Sequence, residues 1–442
     1  MKEHNKLEDE ILASWLVKRR RTTILGVMQR SLFAFEYSAV AVSALYYYRY
    51  TLKVHDAKLF YSFSMAVMFL SAAASAMFIG RYMDRTRHLR RIAFTTAMFS
   101  VIGNVFYTIP YSRYFPIIGR TLCGVSDGIQ PAMAGEFARV YTKEEFAKVL
   151  SIYQISASVI YALAPCTPVL FNGVHFYIGP IEINQYNCIS LVLIILVLVY
   201  TLLVYINVTD LTKEDGYHIF VAKYKNDNNE DDVSPSSKKS DWTLMDTLTN
   251  VNLLVLIFTD GFISYIDSMM EVMNNMIALY NFGWNINRIS VLTGIAAIIF
   301  SAANFIFQQR VLKSRLTFYL LFIVCFLFAM MELSLATISI NIPLNVDAIK
   351  FTLFTSCIGL NILFGFGSGV YSKWLIFSLV PADSKSFIES QRYVVAKSFM
   401  CCGYFTAFLM YQESFYGFTI LSCICFAIVS FLLLWRRKFT NE

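Results

Sequence analysis

Several ionisable residues stand inside runs that are otherwise apolar, and these are the side chains able to do chemistry. Glu36 lies in the run 24–46, and Arg30 precedes it by six residues, too far around a helix to assume a pair. Arg120 and Asp127 lie in 116–136, seven apart and on one helical face. Asp260, Asp267 and Glu271 follow one stripe of 251–278, and the alternative for Glu271 is the outer interface. Glu389, Arg392 and Lys397 lie in 388–411, and Glu332 stands alone in 316–338. A charge at bilayer depth costs about 2.5–3.5 kcal/mol on insertion scales, so each needs a partner, a water-filled cavity or a task. A buried carboxyl such as Glu36, Asp127 or Asp260 could bind a proton, since burial favours its neutral form. For Glu36 the alternative is a structural hydrogen bond to a neighbouring helix; for Arg30 it is snorkelling to the membrane edge. Lys397 is the expected anion contact of the second half.

The bilayer follows from composition. Of 442 residues 57% are hydrophobic and only 15% charged, and the mean hydropathy is +0.54. Ordinary soluble chains carry roughly 25% charged residues. Twelve runs reach spanning length: 24–46, 59–80, 92–110, 116–136, 148–171, 189–207, 251–278, 289–309, 316–338, 350–371, 388–411 and 416–435. The fold class is all-α, a polytopic membrane protein. Residues 1–23 form an N-terminal tail, 24–207 a six-helix bundle, 251–435 a second one, and 436–442 a C-terminal tail. The intervening 208–250 holds a charged run at 225–232 and then Ser-Pro-Ser-Ser-Lys-Lys, and reads as a disordered linker. Two halves of six spans are the organisation of a duplicated transporter.

Lys and Arg set the orientation. Outside the spans, only Arg49, Lys53, Lys58, Arg113, Arg288 and Lys350 fall on the side opposite the termini. Both termini are therefore expected in the cytosol, and the sequon at Asn207 is expected to stay unglycosylated. The +7 net charge is spread over short loops and forms no nucleic-acid face. Nine cysteines show no CxxC or Cys/His spacing, and the five histidines fall in loops or tails, so no metal site or disulfide framework is expected. With no nucleophile–base pair either, the sequence indicates neither an enzyme nor a cofactor.

The loop after the second span reads Gly80-Arg-Tyr-Met-Asp84-Arg85-Thr-Arg87-His88-Leu-Arg90-Arg91. With twelve spans and a 6+6 division, this G-x-x-x-D-R pattern resembles the major facilitator superfamily, although Arg87 and His88 replace a later glycine and basic residue. The resemblance implies a cytosolic gate at Gly80, Asp84 and Arg85, with Glu389 and Arg392 as candidate partners. Span four supports it with Arg120-x-x-x-Gly124-x-x-x-Gly128, a small-residue face for close packing. Pro165 and Pro168 in span five lack the glycines of the antiporter branch. The second-half loop at Gln308–Arg315 has no Asp, while span ten keeps Gly359, Gly365, Gly367 and Gly369. In that family spans 1, 4, 7 and 10 line a central cavity, which would gather Glu36, Arg120, Asp127, Asp260 and Asp267. It also implies a monomeric transport unit.

Three segments, Gly119–Val125, Tyr141–Glu145 and Ile181–Asn187, are similar to the lysosomal branch typified by ceroid-lipofuscinosis neuronal protein 7. That resemblance implies an endolysosomal membrane, with chloride conductance proposed for its best-known member. Glu8-Asp-Glu10-Ile11-Leu12 is similar to an acidic dileucine sorting signal with its acidic spacing off by one. Tyr46, Tyr47 and Tyr48 read as an interfacial aromatic belt, and Met269, Met270, Met273 and Met276 as packing. The expected function is movement of a small solute by alternating access, with protons as the candidate coupling ion. The second reading is an anion channel on the same fold, favoured by Arg120 and Lys397. A sensor or scaffold ranks third. The partners are a small-molecule or ion substrate and the lipid bilayer.

Overall fold

The computed structural model describes residues 2–225, 244–310 and 385–413, with isolated positions between 352 and 431. The expected spans at 316–338, 350–371 and 416–435, Glu332, the glycines of span ten, the 226–243 stretch and the C-terminal tail lie outside the described residues.

The described chain is almost wholly helical. Helix α1 runs unbroken over Lys2–Tyr46, so the N-terminal tail and the first span are one element. It is followed by α2 (Ala57–Thr86), α3 (Leu89–Thr108), α4 (Phe115–Asp127), α5 (Gln130–Val140) and α6 (Lys143–Leu163). A short α7 (Thr167–Leu170) leads to a hairpin of β1 (His175–Ile178) and β2 (Ile181–Asn184). Then come α8 (Cys188–Asn207), α9 (Asp215–Phe220), α10 (Leu244–Thr249), α11 (Val251–Met276), α12 (Ile286–Arg310) and α13 (Lys385–Glu413).

Among the described residues, five helical stretches are long and apolar enough to cross a membrane. They are Ala57–Thr86, Lys148–Leu170, Cys188–Lys213, Val251–Asn281 and Phe387–Tyr411. Helices α1, α3 and α4–α5 occupy the other first-half span positions. Their apolar runs are diluted by polar residues that face inward, including Glu36, Ser100, Asn104, Arg120 and Asp127.

Two expected continuous spans are broken, and proline explains both. Pro131 has no N–H to give to the Asp127 carbonyl four residues back, so the helix stops at Asp127 and restarts at Gln130. Pro165 does the same to Tyr161, and the Ser38 hydroxyl of α1 donates to that carbonyl at 3.1 Å. Pro168 leaves the Ala164 carbonyl to Thr167, whose backbone N–H and hydroxyl both donate to it, the hydroxyl at 2.6 Å. Each break thus lends a backbone acceptor to a side chain.

The halves meet along α2 with α13, α5 with α13, and α6 with α12, while α11 lies along α13. Within the first half α4 packs on α2 and α3. A Cβ at Gly124 would stand 2.1 Å from the Met68 carbonyl oxygen of α2, and one at Gly128 would stand 2.0 Å from Ser75 Oγ. The small-residue face of span four is therefore where α2 and α4–α5 touch backbone to backbone.

The linker expected to be disordered is ordered at both ends. Leu211 and Phe220 join Trp15 in one apolar cluster, and Trp15 Nε1 donates to the Leu211 carbonyl at 3.0 Å. Lys18 pairs with Glu214 at 3.0 Å, and Arg19 lies over the Trp15, Tyr141 and Phe220 rings. Burial of aromatic surface overrides the polar composition of this stretch. Leu12 is buried in the same cluster, so the sorting-like run Glu8–Leu12 is folded into α1.

Gly124→Ala is expected to lower the melting temperature of the purified protein by several degrees, since overpacking costs about 1–3 kcal/mol. An unchanged melting temperature would contradict the backbone-to-backbone crossing.

Candidate functional site

The break at Pro131 positions the centre of the molecule. The freed Asp127 carbonyl accepts the Tyr393 hydroxyl of α13 at 3.2 Å, and the same hydroxyl donates to Asp127 Oδ2 at 2.5 Å. Lys397, one turn further along α13, pairs with Oδ2 at 3.2 Å. Its ammonium also lies 4.6 Å from the Phe69 ring centroid and 5.7 Å from that of Phe33. Asp127 is 1% exposed. A first-half carboxylate and a second-half ammonium are thus joined out of water, where such a pair interacts far more strongly than at a surface.

Toward the terminal side, α13 makes a second ionic group with α11. Arg392 binds both oxygens of Glu389 at 2.7 Å and reaches Asp260 at 2.5 Å. The expected pairing of Glu389 and Arg392 with the Asp84 motif is not what the structure shows. Asp84 instead pairs with Arg139 of α5, which also reaches Glu136 at 3.5 Å. The reason is geometric: the end of α5 comes alongside the end of α2, while this stretch of α13 turns to α11. Gly80 does face α13, with a built Cβ 3.6 Å from Ser390 Oγ. Arg85 is exposed in the last turn of α2. Arg87 takes φ 53°, a left-handed conformation, at the position where the motif carries glycine. Burial and the neighbouring Arg139 lower the Arg87 guanidinium from its ordinary value.

Glu36 and Arg120 do not join that centre. They pair with each other at 3.4 Å, with side chains 3% and 0% exposed. Ser100 and Asn104 of α3 each donate to Glu36 at 3.0 Å, and Asn104 accepts from Arg120 at 3.2 Å. Arg120 stacks 4.7 Å from the Tyr107 centroid. This network ties α1, α3 and α4 inside the first half. Arg120 and Asp127, on one face by spacing, serve different neighbours because the first turns toward α3 and the second toward α13. A 20 Å³ void between Glu36, Ser100, Asp127 and Gln130 has room for about one water. Asp267 is half-buried on α11, and its charge is felt at Tyr161 of α6.

A larger cavity of about 140 Å³ opens between Arg30, Gln130, Ala134, Tyr153, Arg392 and Lys397. Ala138, Phe146 and Leu150 extend it toward the side bearing the N-terminus. Arg30 donates to Gln130 Oε1 across its wall. Among the described residues the opposite side is packed shut. The Tyr37 and Tyr404 hydroxyls both donate to Glu271 Oε2, the latter at 2.7 Å. Asn275 donates to Tyr61 at 3.0 Å and to the Ala41 carbonyl at 3.3 Å, and Tyr46 donates to the Trp284 carbonyl at 3.0 Å. Tyr46, Tyr47 and Tyr48 are fully buried in this seal, so they are not an interfacial belt. Met269, Met270, Met273 and Met276 pack in the same core.

The sequence left Glu271 open between the cavity stripe and the outer interface, offered snorkelling as one alternative for Arg30, and gave no sign of Gln130, Tyr393 and Tyr404. One signal was available: Pro131 four residues after Asp127 announces a free carbonyl at midspan.

The sequence matches the family profile of the Major Facilitator Superfamily over residues 22–433. The chain belongs to that family of membrane transporters, multi-pass proteins that carry small solutes across the bilayer. No curated protein matches it.

Removing one partner of a buried ion pair costs about 3–5 kcal/mol. Glu36→Ala is therefore expected to destabilise the protein strongly, and Glu36→Leu combined with Arg120→Met to recover most of the loss in thermal melting. A single variant as stable as the parent would contradict the network's structural role.

Proposed function

We propose that the protein is a secondary carrier that moves a small solute by alternating access, coupled to protons at Asp127. The observation that carries this reading is the Asp127–Lys397–Tyr393 junction. It links the two halves beside a cavity whose described lining runs toward the N-terminal side, while Glu271, Tyr46 and Trp284 belong to packed contacts on the opposite side. A proton on Asp127 would cancel its attraction to Lys397 and release the halves to rock. Asp84–Arg139 at the mouth of α2 and α5 acts within the first half, and Glu389–Arg392–Asp260 holds α13 to α11. The proposed unit is a monomer with both termini in the cytosol, so the cavity faces the cytosol.

An endolysosomal address rests on the resemblance of Gly119–Val125, Tyr141–Glu145 and Ile181–Asn187, since Leu12 of the sorting-like run is packed away. The closed side favours a carrier over an anion channel. In planar bilayers under a chloride gradient, a carrier gives no large current reversing at the chloride potential; such a current would establish the channel. In proteoliposomes, Asp127→Asn is expected to remove at least 10-fold stimulation of uptake by an imposed pH gradient. Stimulation retained in full would overturn the coupling assignment.

A further inference from the structure

The ionic groups around the 140 Å³ cavity differ in how they are matched. Lys397 has Asp127, and Arg392 has Glu389 and Asp260. Among the described residues Arg30 has no carboxylate within 4 Å, and its hydrogen bond goes to the neutral amide of Gln130. Its Nε and the Gln130 Nε2 are both buried without an acceptor. Such groups cost about 1–3 kcal/mol each when left unsatisfied. Arg30 lies deep in the molecule, ringed by Tyr153, Tyr161 and Tyr393, yet keeps accessible surface because it lines the cavity. Asp127, whose charge reaches Arg30, does not line that cavity; Glu389 does, bound to Arg392.

Among the described lining residues three cations, Arg30, Arg392 and Lys397, face one carboxylate, Glu389, which Arg392 already holds, so the wall has surplus donors. A guanidinium edge beside a primary amide presents planar donors, which suit a carboxylate better than a spherical ion. The wall is apolar at Pro131, Ala134, Phe146, Leu150 and Ala396, with Gln154 and the tyrosines Tyr153 and Tyr393 as further polar groups. A cavity of this size accommodates about six non-hydrogen atoms, the size of benzene.

Resting on the carrier reading, we propose that Arg30 and Gln130 form the anion-recognition end of the transport site, and that the substrate is a small aliphatic monocarboxylate. The carboxylate sits on Arg30 and Gln130, and its short tail lies toward Phe146 and Leu150. Lys397 stays with Asp127, so anion recognition and the junction between halves use different cations.

The test is binding to the full chain in lipid nanodiscs at pH 7, by calorimetry and thermal melting, with butyrate, butyramide, inorganic phosphate and chloride. Butyrate is expected to bind saturably and raise the melting temperature, and butyramide to bind at least 10-fold more weakly. Arg30→Gln should weaken butyrate at least 10-fold. Gln130→Leu, which keeps the cation, should weaken it several-fold, and both variants are compared with their own ligand-free melting. No butyrate binding, equal binding of butyramide, tighter binding of phosphate or chloride, or an unaffected Arg30→Gln variant would each overturn the proposal. Butyrate binding without any solute flux would refute the carrier reading and leave the site standing. Saturable flux of another solute class without butyrate binding would do the reverse.

Discussion

A charge buried in a membrane protein has to be answered by another group, and in this chain one such answer crosses between the halves. Asp127 on α4 meets Lys397 and Tyr393 on α13 because Pro131 interrupts its own helix. Without that interruption the Asp127 carbonyl would be spent within the helix, and Tyr393 would lose one of its two acceptors. The small-residue face at Gly124 and Gly128 brings α2 and α4 close, and α2 in turn packs against α13. The sequence of causes runs from a proline and two glycines to a junction between bundles.

Other buried charges are resolved within one half. Glu36 and Arg120 neutralise each other among Ser100 and Asn104, which fixes α1 against α3 and α4. Arg392 holds α13 to α11. These networks tie helices to one another within a half. The surfaces between the bundles are unequal. The side away from the N-terminus is sealed by aromatic and methionine packing with Glu271, Asn275 and Trp284 as polar anchors, whereas the N-terminal side keeps a cavity.

Much of this was legible in the sequence. The bilayer, the family pattern at Gly80–Arg85, the small-residue face and the need of Asp127, Asp260 and Lys397 for partners all follow from residue type and spacing. What could not be read was which charge answers which. Helical spacing puts Arg120 and Asp127 on one face, but that face borders α3 at one end and α13 at the other. Spacing offers Glu389 and Arg392 as candidate partners of the Asp84 motif, yet Asp84 pairs with Arg139 because of where α5 ends. The linker misled for a different reason: its composition is polar on average, while the few aromatics at 217–220 find Trp15 in a segment two hundred residues away.

The central claim is that the Asp127–Lys397 junction holds the halves with the cavity open to the N-terminal side and the other side closed. It is tested most directly by labelling Ala134→Cys, a cavity position, with a membrane-impermeant thiol reagent applied to either face of oriented vesicles, with the Ala134 parent as baseline. The account predicts labelling from the N-terminal side alone, and from both sides once Lys397→Gln is added. Labelling of Ala134→Cys from the far side, or a pattern unchanged by Lys397→Gln, would contradict it.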